Sequence, residues 1–133
     1  MAGPNYVLDK GFNLSNSGAA QSIYRFMKFA GGENLVVQAS AITDICIGVS
    51  QMRVDAADSA SGNVQVDVRI LGISKVEAAA AISLGAFVAP TATGLAQTAV
   101  STQFRHGIAM QAATGAGQWI DVLLTPVAGP VLP

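Results

Sequence analysis

Asn63-Val-Gln-Val-Asp-Val-Arg-Ile70 decides the fold class of this chain. On an extended backbone Val64, Val66, Val68 and Ile70 fall on one side, and Gln65, Asp67 and Arg69 fall on the other. Apolar and polar side chains alternate with a period of two, the mark of a strand with one face buried and one face open. The polar stretch before it, Asp55-Ala-Ala-Asp-Ser-Ala-Ser-Gly62, reads as a loop that closes a hairpin onto a strand over Ile45 to Met52, a segment dense in β-branched residues. Further upstream, Ile23 to Phe29 and Leu35 to Ala39 read as two more strands, with a turn at Gly31-Gly32 between them.

Downstream, Lys75-Val-Glu-Ala-Ala-Ala-Ala-Ile82 is ambiguous. Its four alanines favour helix on propensity. Gly72 and Gly85 confine it to about three turns, and so short a helix is marginal without packing. It is read as strand and extended chain. Phe87-Val88 leads to Pro90 and a turn at Thr91-Ala-Thr-Gly94, and Leu95 to Val100 is a short strand. Gly107 to Gln111 and Trp119 to Leu124 flank the glycine-rich Thr114-Gly-Ala-Gly117 as a hairpin. The expected class is all-β, a small β-barrel or β-sandwich built from hairpins.

Two stretches echo each other. One runs Ile47-Gly-Val-Ser-Gln51, a loop, Gly62-Asn63 and then Val64 to Ile70. The other runs His106-Gly-Ile-Ala-Met110, a loop, Gly117-Gln118 and then Trp119 to Leu124. The physical reading is a pair of similar hairpins, neither able to bury its apolar face alone. Chance repetition of strand-turn-strand grammar is the rival reading.

The chain has 133 residues, enough for one domain. Residues 1–21 are crowded with Gly, Asn, Ser and Pro yet punctuated by Tyr6, Val7, Leu8, Phe12 and Leu14. They read as an extended N-terminal arm, ordered by lying on its own domain or on a neighbour. Residues 22–126 form the β domain. Residues 127–133, with Gly129, Pro130 and Pro133, form an irregular tail. Tyr6, Val7, Leu8 and Phe12 are the candidate partner-binding residues.

Charged residues make up 11% of the chain, under half the share of about 25% usual for soluble proteins. So sparse a charge points to surface that a partner covers. Seven basic and eight acidic residues lie scattered for a net charge of −1, so the basic footprint of a nucleic-acid binder is missing. The uncharged run from Ala78 to Phe104 is interrupted by Gly85, Pro90 and Gly94 and by polar residues, unlike the ~20 apolar residues of a membrane span. The N-terminus lacks the basic and apolar regions of a secretory signal. No membrane role and no signal peptide are expected.

The chemical inventory is thin. His106 is the single histidine of the sequence, which rules out a two-histidine metal site within one chain. It reads as a structural histidine. No Gly-x-Ser-x-Gly elbow places a serine for nucleophilic attack. Asp55 and Asp58 lack the further oxygen ligands of a calcium loop, and Gly115-Ala-Gly117 lacks the Lys-Ser/Thr of a phosphate cradle. Cys46 is expected to be a small buried hydrophobe, and Trp119 a core or interface anchor. No catalytic residue, cofactor or metal is expected, and the chain is read as a non-enzyme.

The run Gly72 to Ile82, then Leu84-Gly-Ala-Phe-Val88, Thr93-Gly94, His106-Gly-Ile-Ala-Met-Gln-Ala-Ala-Thr-Gly115 and Trp119-Ile-Asp-Val-Leu-Leu-Thr-Pro126, resembles capsid decoration (cement) proteins of tailed bacteriophages. The resemblance spans about residues 64–126, and its motifs are β-strand grammar. It implies a structural virion protein, made in the host cytoplasm, that binds the major capsid protein on the outer surface of the head, sits there as a trimer and stabilises the shell. The alternatives are a self-assembling coat or tail-tube subunit, and a β-type carbohydrate- or ligand-binding module.

Overall fold

In a computed structural model, residues 7–15, 20–60, 64–101 and 103–125 are described. Among these residues the chain forms nine strands and one short helix: β1 (Leu8–Leu14), β2 (Phe26–Phe29), β3 (Leu35–Gln38), β4 (Gly48–Ser50), α1 (Ala56–Ala60), β5 (Gln65–Glu77), β6 (Phe87–Pro90), β7 (Ala96–Thr98), β8 (Gly107–Ala109) and β9 (Trp119–Leu124). The all-β class is as expected.

The alternating segment that sets the class is the first half of β5, and the alternation runs on past Ile70. Val66, Val68, Ser74 and Val76 are buried, while Gln65, Asp67, Leu71, Ile73 and Lys75 are exposed. This single strand belongs to two sheets. Its first half lies between β4 and β1, and with β2 and β3 completes the closed ring β1-β3-β2-β4-β5. Closure leaves that half of the molecule without a free edge. Residues Gly72 to Glu77 pair with β9, and the sheet continues through β8 and β6 to β7.

The ring closes through β1. It runs antiparallel to β5 from Leu8↔Leu71 to Asn13↔Gln65 and pairs in parallel with β3 at Asn13↔Leu35 and Leu14↔Val36. The described part of the expected arm therefore lies on its own domain, as a strand of the barrel. Phe12 and Leu14 are buried beside Met27, Val36, Val66 and Val68 in the barrel core. The arm is consequently not a removable attachment: without it β5 loses a neighbour and the barrel loses two core side chains. Tyr6 and the tail over 127–133 lie outside the described residues.

A second core forms from Phe26, Val49, Val76, Val88, Ile120 and Val122 with a set of alanines, among them Ala39, Ala78, Ala96 and Ala109. Phe26 and Met27 are neighbours in sequence, and they serve different cores because successive strand residues point to opposite faces. The abundant alanine of the sequence fills this second core, where short side chains let the layers approach closely.

The echo is structural. β4 pairs antiparallel with β5, and β8 pairs antiparallel with β9. Each hairpin opens on a glycine pressed against its partner strand. A Cβ on Gly48 would lie 2.8 Å from the Arg69 carbonyl carbon and 2.9 Å from Val68 Cγ1, and one on Gly107 would lie 2.5 Å from Val122 Cγ1 and 2.7 Å from the Leu123 carbonyl oxygen. Val66-Asp-Val-Arg-Ile70 and Ile120-Asp-Val-Leu-Leu124 thus occupy matching places. Two local expectations change: the strand expected over Ile45 to Met52 is only β4, Gly48–Ser50, and the polar loop contains helix α1. Lys75 to Ile82 is strand and extended chain as expected, with β5 taking in Lys75 to Glu77 before the alanine run turns irregular.

Candidate interaction surface

Consecutive apolar residues in a strand put apolar side chains on both of its faces. β5 carries Ile70-Leu71 and Ile73, and β9 carries Val122-Leu123-Leu124. Register brings their outward members together. Ile73 is opposite Leu123, Leu123 is opposite Ile108, and Ile108 is opposite Phe87. The result is an unbroken apolar row across four strands, β5-β9-β8-β6, on the side of the sheet that faces away from the second core.

Ile73, Leu123 and Phe87 are 39%, 40% and 44% exposed, so this row is open to solvent. Leu71 extends it along β5, and Leu8 lies opposite Leu71. Charged residues border the row but are paired within the chain. Lys75 meets Asp121 at 3.3 Å across β5 and β9, and Arg69 donates to Asp9 at 2.8 Å across β5 and β1. The Arg69 guanidinium also donates to the Ile73 carbonyl at 2.9 Å, and its hydrogen bond to Asp9 holds its pKa above the ordinary arginine value. At the far edge the Arg105 guanidinium stands 5.0 Å over the Phe87 ring.

Trp119 occupies the end of the same face. It is half exposed, its Nε1 donates to Glu77 at 3.5 Å, and its ring meets Tyr24 edge-to-face at 4.9 Å. Of the residues expected to bind a partner, Leu8 borders this face, Val7 is exposed at the chain's entry to β1, and Phe12 is buried in the barrel core. Phe12 takes no part in this face. Sequence reading missed Ile73, Phe87, Ile108 and Leu123. The signal present was the pair of two-faced apolar runs in β5 and β9, which a search for alternation passes over.

A second apolar feature is a groove of about 390 Å³ lined by Phe12, Phe29, Ile45, Ile47, Ile70 and Thr125. His106 and Cys46 are buried side by side: the Cys46 backbone N–H donates to His106 Nε2 at 2.7 Å, and Nδ1 therefore carries the proton it donates to the Phe104 carbonyl at 3.0 Å. Burial pushes the histidine down to about 4 and the Cys46 thiol up to about 12. Among the described residues no three His, Cys, Asp or Glu side chains group as metal ligands, and no helix is long and apolar enough to cross a membrane.

Barrel, sheet and face together define a small all-β protein with an apolar sheet surface open to solvent. No family model matches the chain, and no curated protein does. Among solved structures it is similar to the head fiber gp8.5 N base of bacteriophage phi29, with a TM-score of 0.67 and 17% identity over 96% of this chain and 100% of that one. At that identity the likeness is one of fold.

Proposed function

We propose that the chain is a non-enzymatic structural protein of a phage virion, attached to the outer surface of the head, where it binds the major capsid protein and stabilises the shell. The observation that carries this reading is the likeness of nearly the whole chain to the base of a phage head fiber. The resemblance of residues 64–126 to capsid decoration proteins supports placing it on the outside of the head. The sparse charge of the sequence and the open apolar face suit a protein that works by being packed against neighbours.

On this reading the protein assembles as a trimer, and many copies act together on a symmetric lattice, so that each contact can be weak while the array holds. The neighbour adds a variant of the reading, in which the chain serves as the seat of a projecting structure rather than as a cement.

The test is reconstitution. Heads of the parent phage lacking this protein are mixed with the purified chain, sedimented and heated. Saturable binding in a fixed ratio to the capsid protein, with a higher temperature of head disruption, is expected. Failure to co-sediment would overturn head attachment, and binding without any gain in heat resistance would turn the reading from cement to fiber base.

A further inference from the structure

We infer that the apolar row Ile73–Leu123–Ile108–Phe87 is the surface through which copies of this chain meet each other. The inference rests on the reading of the chain as an assembled structural protein, and it names the partner of one face.

Area comes first. With Leu71 and Leu8, the row comprises six large side chains, five of them between 39% and 49% exposed. They present roughly 400 Å² of contiguous apolar surface, the size of the largest and often functional patch of an ordinary monomer and about half of the ~800 Å² that each partner contributes to a standard interface. The row thus has the size of an interface core, and the residues around it have the character of a rim.

Charge selects the occupant. The border carboxylates Asp9 and Asp121 are answered by Arg69 and Lys75 of the same chain, and Arg105 stands over the Phe87 ring at the edge, so the middle of the row carries no charge. What fits is another neutral, flat, apolar sheet surface, and a copy of this chain supplies one. Two such faces pack at about 10 Å with interdigitating side chains, and three can enclose an axis in the same manner. A net charge of −1 adds little repulsion between copies.

The experiment is the solution mass of the full chain by light scattering, for wild type, Leu123→Asp and Phe29→Asp. Leu123 stands mid-row, whereas Phe29 is exposed at the separate groove. Wild type is expected at two or three times the 13.5 kDa chain mass, three on the trimeric reading. Leu123→Asp places an unpaired carboxylate in the interface core and should raise the dissociation constant at least ~100-fold, leaving folded single chains. Phe29→Asp should keep the wild-type mass. A wild-type mass of one chain would overturn the inference, while heads that still bound such a monomer would leave the proposed function standing. A folded Leu123→Asp that kept the wild-type mass, or a Phe29→Asp that lost it equally, would also overturn it. Should Leu123→Asp misfold, Leu123→Cys decides: with the native thiol buried and pushed up to about 12, a short bis-maleimide should link copies through position 123, and absence of linkage sinks the idea.

Discussion

His106 shows how a side chain can be chemically conspicuous and structurally ordinary. It is the sole imidazole of the sequence, and the fold uses its Nε2 to accept the Cys46 backbone N–H while Phe26 packs edge-on at 5.6 Å. Only the neutral ring can do this, and burial keeps it neutral, with a pKa about 4 against an ordinary 6.5. Because the folded pKa is depressed, acid favours the unfolded chain. Stability should be full above about pH 6.5, fall as pH drops toward 4 and level off below that, by roughly 3 kcal/mol in all. Urea midpoints measured from pH 7 to 4.5 should follow that slope in wild type and flatten in His106→Gln. A wild-type midpoint that does not move across this range would contradict the assigned ring state.

At the scale of elements, β1 and β5 decide the architecture. The alternation of Val64 to Ile70 was legible because it is local. The continuation of β5 was not, since Leu71-Gly-Ile73 breaks the apolar-polar rhythm where the strand passes from the barrel to the second sheet. β1 read as an arm because Leu8-Asp-Lys-Gly-Phe-Asn-Leu14 has a glycine at its centre and little β-branching. Its strand character comes from pairing with β5 and β3. That pairing gives Phe12→Ala a definite cost. The Phe12 ring is 5% exposed, meets Phe29 edge-to-face at 6.0 Å and lies 4.5 Å from the Lys10 ammonium. Its loss should lower unfolding free energy by about 3–5 kcal/mol in urea titration. Val7→Ala, at an exposed position outside the strand, should stay within about 0.5 kcal/mol. Equal effects of the two substitutions would mean that β1 is not part of the barrel.

The whole molecule is two cores joined by one strand, with an apolar surface left over. The barrel satisfies its own edges, whereas the β5-β9-β8-β6-β7 sheet buries one face and leaves Ile73, Leu123, Ile108 and Phe87 on the other. If copies meet there, the attraction is apolar and salt should not weaken it, since the bordering charges are already paired within the chain. Sedimentation equilibrium between about 0.05 and 1 M NaCl is expected to give one unchanged mass. Dissociation by salt would assign the association to charges elsewhere on the surface.

The sequence by itself determined the all-β class and most of the strands, and it raised the likeness of two hairpins without separating it from chance. Class and strands follow from period-two alternation, β-branched composition and turn residues such as Gly31 and Gly94, which act over a few neighbouring positions. The tertiary structure alone decided that the barrel closes through β1, that β5 serves two sheets and that four outward side chains form one row. Each of these depends on register between strands distant in sequence. A shift of a single residue would send every side chain of a strand to the opposite face, so contact between Ile73 and Leu123 exists only once the whole sheet has set.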